Sequence, residues 1–174
     1  FNLALAKNDK VWQGRLQTTL GAILLRQEKL DTAFEVLEAA KTKLPRKDLP
    51  QVFTQMGYVM ERRGLLSKAA DYALEGLLLG ESLKDQKAIA MAYSDLSNLF
   101  WKQSKFAKGI DYGLKSEEVF NQRGIADMDF SFTLYVIGNN YLALKDYPNA
   151  LTYYKRALAM SERYQFYNNL ADIY

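Results

Sequence analysis

The sequence predicts an all-α fold, an α-α superhelix (solenoid) of stacked antiparallel helix hairpins. Three observations carry that expectation. Helix-forming Ala, Leu, Lys and Glu are abundant, against only 3 Pro and 10 Gly in 174 residues. Apolar residues recur at helical spacing, as in Leu134, Ile137 and Tyr141 at i, i+3 and i+7. The same alternation of small and large residues then returns along the chain, which is how a repeat architecture shows itself.

The elements follow in order. Residues 1–8, FNLALAKN, parallel YKRALAMS at Tyr154–Ser161 and read as the end of a preceding second helix. Four full hairpins are expected at about 14–45, 50–84, 90–122 and 131–163, and 164–174 reads as the first helix of a fifth, all in a single array over 1–174. The first hairpin carries Gln17, Leu20, Gly21 and Leu24, then Ala33, Leu37 and Ala40. The second carries Phe53, Met56, Gly57 and Met60, then Ala69, Ala73 and Gly76; the third Tyr93, Leu96, Ser97 and Phe100, then Gly109, Gly113 and Ser116. The fourth carries Leu134, Ile137, Gly138 and Tyr141, then Ala150, Tyr154 and Ala157. The first residue of the second set always follows the first of the opening set by 16, so the hairpins have constant length.

Short polar turns, RQEKLD, RRGLLS, KQSKF and LKDYPN, separate the paired helices, and Pro148 falls in a first turn, where its missing N–H costs little. Gly or Ala in the small positions predicts close approach of the two backbones. Trp12 lies outside the grid and is expected to pack.

Composition excludes several functions. With no Cys and no His, disulfides, thiol nucleophiles, zinc fingers and His-based acid–base chemistry are absent. Glu117 and Glu118 are adjacent, so on a helix they diverge by about 100° and do not form a catalytic pair. No catalytic constellation, metal ligand set or cofactor motif stands out; GLLLGES at Gly76–Ser82 lacks the ending of a phosphate loop. The net charge is only +3, and the basic run KTKLPRK has no interleaved aromatics, which argues against direct nucleic-acid binding. No run approaches the ~20 apolar residues of a membrane span. The absence of Cys suits cytoplasm and periplasm alike, with the cytoplasm favoured. A start at Phe1 without Met reads as a fragment of a longer protein.

Leu134, Ile137, Gly138, Tyr141, Ala150, Tyr154 and Ala157 occupy positions 4, 7, 8, 11, 20, 24 and 27 of a repeat, and the chain resembles the tetratricopeptide repeat superfamily, whose unit is about 34 residues. Position 8 steps from Gly21 to Gly57, Ser97, Gly138 and Ala171 by 36, 40, 41 and 33, an extended spacing that resembles bacterial signalling proteins. The short last step marks Gln165 and Phe166 as the place where residues of a longer connector are missing.

The resemblance implies a concave groove lined by first helices, for a protein segment or peptide. Carried onto this chain it implies Thr54, Tyr58 and Arg62, then Ser94, Asn98, Trp101 and Lys102, then Tyr135 and Asn139, and Asn168. Asn98 and Asn139 share position 9, where an amide both donates and accepts and so holds an extended backbone. The alternative is that they bond a neighbouring helix or water. Position 5 reads Thr18, Thr54, Ser94, Tyr135 and Asn168, without the basic residues that grip acidic chaperone tails. The functional expectation is a non-enzymatic binding scaffold, the sensing or interaction segment of a larger bacterial signalling protein. The alternatives are a self-assembly module, including a homodimer, and a peptide-pheromone receptor domain.

Overall fold

The computed structural model describes residues 9–123 and 127–163. The expected helix ends at 1–8 and 164–174, with Asn168 and the connector at Gln165 and Phe166, lie outside them. Eight α-helices and one 3-10 turn make up the described residues, with no strand. They are α1 Lys10–Arg26, α2 Leu30–Lys41, α3 Leu49–Arg62, α4 Leu66–Leu83, α5 Gln86–Lys102, α6 Phe106–Arg123, α7 Met128–Ala143 and α8 Tyr147–Arg163, with the 3-10 turn at Arg46–Asp48. Each odd-numbered helix pairs with the next, giving four hairpins, and the chain divides into two compact units at Lys84 and Asp85.

Local signals set the helix ends. Asp9, Asp85 and Asp127 cap α1, α5 and α7 by accepting the N–H of Trp12, Ala88 and Phe130. At the start of α3, Pro50 fills the first turn instead. All four hairpins turn in the same way: Glu28, Gly64, Ser104 and Lys145 sit at φ 58, 75, 58 and 62°, in the left-handed region. The next residue's N–H returns to the helix, Lys29 to Leu24, Leu65 to Met60, Lys105 to Phe100 and Asp146 to Tyr141. This is one Schellman turn made four times, and it is why the 16-residue offset never varies. Only Gly64 adopts the geometry without the steric cost an L side chain carries there.

The first unit, α1 to α4, has an aliphatic interior. Ala33, Leu37, Val52, Met56, Val59 and Ala69 are fully buried. Here the small position 8 does not serve a uniform close approach of backbones, as the sequence suggested. On Gly21 a Cβ would lie 2.6 Å from Leu37 Cδ2, so this glycine leaves room for the side chain at position 24. On Gly57, whose partner at that position is the small Ala73, the nearest atom is 3.6 Å away.

The second unit, α5 to α8, buries polar groups as well as a cluster of Ala90, Phe120, Phe130, Leu134 and Ala157. Ser97 Oγ donates to the Gly109 carbonyl at 2.6 Å, and Ser116 Oγ to that of Ala90 at 2.7 Å. Ser131 Oγ lies 3.0 Å from the Ala157 carbonyl and 2.7 Å from Ser161 Oγ. Between α6 and α7 the fit is tight. A Cβ on Gly113 would stand 2.5 Å from Ile137 Cγ1, and one on Gly109 2.0 Å from Asn140 Oδ1. Asn140 is fully buried; its Nδ2 donates to the Val136 carbonyl at 2.9 Å, while its Oδ1 has no hydrogen-bond partner and faces the Gly109 Cα–H.

Candidate binding face

In the first unit α1 and α3 lie side by side. On α3, Thr54 and Tyr58 are half-buried, and Arg62 is exposed in an ion pair with Glu28 at 2.7 Å. A pair open to water on both sides contributes little stability. It does join α3 to the turn after α1, leaving the guanidinium only part of its donor fork for a ligand.

In the second unit α5 and α7 are adjacent, and the contact between them is polar. Ser94 is 4% exposed, and its Oγ lies 2.9 Å from Thr133 Oγ1, which is also 3.0 Å from the Asp129 carbonyl. A hydroxyl has one proton, so the two contacts share it or Ser94 supplies its own. Ser94 is therefore a link between helices and no groove-facing group. The reason lies one repeat on: position 3 of the next first helix is Thr133, a hydroxyl that reaches back to it.

Asn139 is 8% exposed and also tied down, its Oδ1 accepting the Tyr154 hydroxyl at 2.7 Å across the α7–α8 hairpin. With one lone pair of that oxygen taken, Asn139 offers a ligand its amide N–H donors and a single remaining acceptor site. Tyr154 in turn fills the space left by Gly138, where a Cβ would stand 2.6 Å from its ring. Burial, then the neighbouring Tyr135, pushes the Tyr154 phenol upward, so it keeps the proton this bond uses. Tyr135 packs 6.0 Å from the Tyr154 ring and 6.3 Å from Phe132. On α5, Asn98 and Trp101 are half-buried and Lys102 is exposed. On α7, Leu142 repeats the position of Trp101 and is 46% exposed.

The second unit thus offers a face of amide, aromatic and aliphatic groups on two neighbouring helices. Sequence reasoning treated Tyr154 as packing alone; its spacing opposite Gly138 carried the signal that it also reaches Asn139. The reverse holds for Trp12, expected to pack and found 54% exposed.

The second unit also carries the family pattern. Residues 131–164 match the tetratricopeptide repeat family, and the whole described chain has the corresponding hairpin fold. The described residues have a tetratricopeptide-like repeat fold. No curated protein matches the chain. Among solved structures, the apo form of RapI is similar over 99% of this chain and 65% of its own, with a TM-score of 0.81 and 11% identity. Aspartyl phosphate phosphatase F from Bacillus subtilis is similar over 98% of this chain and 47% of its own, with a TM-score of 0.76 and 19% identity. A Signal Transduction ATPase with Numerous Domains (STAND) protein with a tetratricopeptide repeat sensor, from Pyrococcus horikoshii, is similar over 95% of this chain and 26% of its own, with a TM-score of 0.77 and 16% identity. At such identities the likeness is one of fold. The chain spans less than two thirds of each of these three proteins.

Proposed function

We propose that this chain is a binding scaffold without catalytic activity, and that the α5–α7 face of the second unit grips an extended protein segment. The observation that carries the reading is the shared register of Asn98 and Asn139 on adjacent helices, with Trp101 and Tyr135 half-buried beside them. Amides placed this way address a peptide backbone, while the aromatic rings and Leu142 give apolar anchors, the residue types on which interface energy concentrates. Among the described residues no group of His, Cys, Asp or Glu could hold a metal ion, and no helix is long and apolar enough to cross a membrane. A role as the sensing segment of a larger signalling protein draws support from the repeat sensor named in the STAND protein, and a bacterial setting from the likeness to the phosphatase of Bacillus subtilis. The cytoplasm is the compartment this reading favours.

The test is selection of binders from a random-peptide library on the immobilised chain. Enriched peptides are expected to lose at least ~tenfold in affinity on the double variant Asn98→Ala, Trp101→Ala, which is about 1.4 kcal/mol, with circular dichroism unchanged. Peptides that bind wild type and variant alike would sink the assignment of this face.

A further inference from the structure

The third hairpin departs from the other three where its second helix begins. Positions 16 and 19 of the repeat are Lys105 and Lys108 there, and position 11 is Phe100. The two Nζ atoms stand 5.9 and 5.8 Å from the centroid of that one ring. The first hairpin has Lys29, Thr32 and Leu24 at these positions, and the second has Leu65, Lys68 and Met60. In the fourth they are Asp146 and Asn149, which bond each other, Asn149 Nδ2 donating to Asp146 Oδ2 at 2.7 Å. Packing of a repeat therefore does not call for two lysines on one ring.

Two ammonium groups drawn to the same ring repel each other, and the electron-rich ring offsets only part of that cost. No carboxylate completes the balance. Among the described residues Lys105 and Lys108 form no ion pair, and Lys105 Nζ donates to a neutral acceptor, Gln103 Oε1, at 2.8 Å. The acids of α6 are already engaged: Asp111 with Lys115 at 2.9 Å, Glu117 with Tyr153 and Arg156, Glu118 with Gln122. Both lysines are exposed, so their charge faces water. Phe100 is held in turn by stacking on Tyr112, with ring centroids 5.2 Å apart.

We propose that Lys105 and Lys108 form a binding site for a phosphate monoester. Such an ester carries about −1.5 to −2 charges at neutral pH and three strong acceptor oxygens. It matches two compact ammonium groups on flexible stems, whereas a carboxylate brings one charge and suits the planar fork of arginine better. Phe100 gathers both cations before a ligand arrives, which reduces the ordering that binding must impose. The site uses none of Asn98, Trp101 and Asn139, so it does not depend on the reading of the α5–α7 face.

The test is a titration of the whole chain with acetyl-Ala-phosphoserine-Ala-amide at fixed ionic strength, followed by carbon–proton NMR of the lysine ε-methylene groups. Lys105→Gln and Lys108→Gln assign the two signals, and at exposed positions they leave the fold intact. Both signals are expected to move together and saturate. Removing about one charge from either side, with Asp for phosphoserine in the peptide or Gln for one lysine, is expected to weaken binding ~fivefold. Lys115 lies 4.9 Å over the Tyr112 ring but is paired with Asp111, so Lys115→Gln is expected to change nothing. No saturable movement, movement shared alike by all lysine signals, or an equal loss on Lys115→Gln would overturn the proposal. Equal affinity for the Asp peptide would overturn it too, since the site would then be one for carboxylates. Saturation by inorganic phosphate without a response to the phosphoserine peptide would mark a free-ion site, with the same consequence.

Discussion

The two units meet the same packing problem with different chemistry. In the first unit position 3 of α3 is Val52 and the surrounding positions are aliphatic, so burial of apolar area carries the core. In the second unit the equivalent residue is Thr133, within 3.3 Å of Ser116 Oγ and 2.9 Å of Ser94 Oγ, and helices are joined by hydroxyls and amides. The glycines of α4 and α6 differ as well, although in the first unit Gly21 is itself crowded by Leu37. Gly76 in α4 has nothing nearer its absent Cβ than 3.8 Å, whereas Gly109 at position 20 and Gly113 at position 24 of α6 are pressed against α7. A repeat grid therefore specifies where a small residue stands, but not how close its neighbour comes. Closeness depends on the residue the next helix brings to it.

The comparison breaks most sharply at Gly109. Gly109→Ala is expected to cost about 3 kcal/mol in urea unfolding, because the new methyl meets a fully buried amide with no room to retreat. Adding Asn140→Ala to the same chain removes the obstacle and is expected to recover most of that loss. If Gly109→Ala proves harmless, or the second substitution brings no recovery, the tight α6–α7 contact is not what limits this position.

A reciprocal exchange at position 3 sharpens the chemical difference. Thr133→Val keeps the shape but strips a partner from buried Ser94, for a loss of about 1–2 kcal/mol. Val52→Thr puts a hydroxyl into the aliphatic interior of the first unit and is expected to cost a similar amount. Equal tolerance of both exchanges in denaturant titrations would mean that the two cores are interchangeable.

Gly76→Ala is a smaller effect of opposite sign. With ordinary van der Waals room at its Cβ position, it is expected to gain about 0.5–1 kcal/mol from helix propensity alone. A loss in the same titration would show that the first unit is packed as tightly as the second.

The mildest contrast is with alkaline pH. Burial first, then the charge of Glu117 and its hydrogen bond, push the Tyr153 phenol up to about 12. An unfolded tyrosine titrates near ~10. Between these values the unfolded chain releases its proton first, so this contribution is intact below about pH 10 and is lost as pH rises towards about 12. Tyr153→Phe is expected to flatten that part of the decline in thermal midpoint, measured from pH 9 to 11. An unchanged slope would mean that Tyr153 is no more shielded than an ordinary surface phenol.

Much of the fold was legible because it is local. Helix ends follow from Asp9, Asp85, Asp127 and the early Pro50. The constant 16-residue offset reflects one turn geometry repeated, even where Glu28, Ser104 and Lys145 stand in place of glycine. The candidate face was less legible. Position 5 predicts a groove wall, yet Ser94 turns into the helix contact because Thr133, 39 residues on, offers it a hydroxyl. Position 9 predicts an amide open to a ligand, yet Asn139 is half committed to Tyr154. Trp12 was expected to pack although it lies outside the grid, and its 54% exposure is a finding of the structure.

By itself the sequence determined the helices, the turns, the hairpin length and the absence of His and Cys chemistry, since each depends on residues within about one hairpin of one another. Only the tertiary structure decided which glycines are irreplaceable and which polar groups are buried links. Those outcomes depend on atoms brought together from different helices, at separations that no spacing within one repeat encodes.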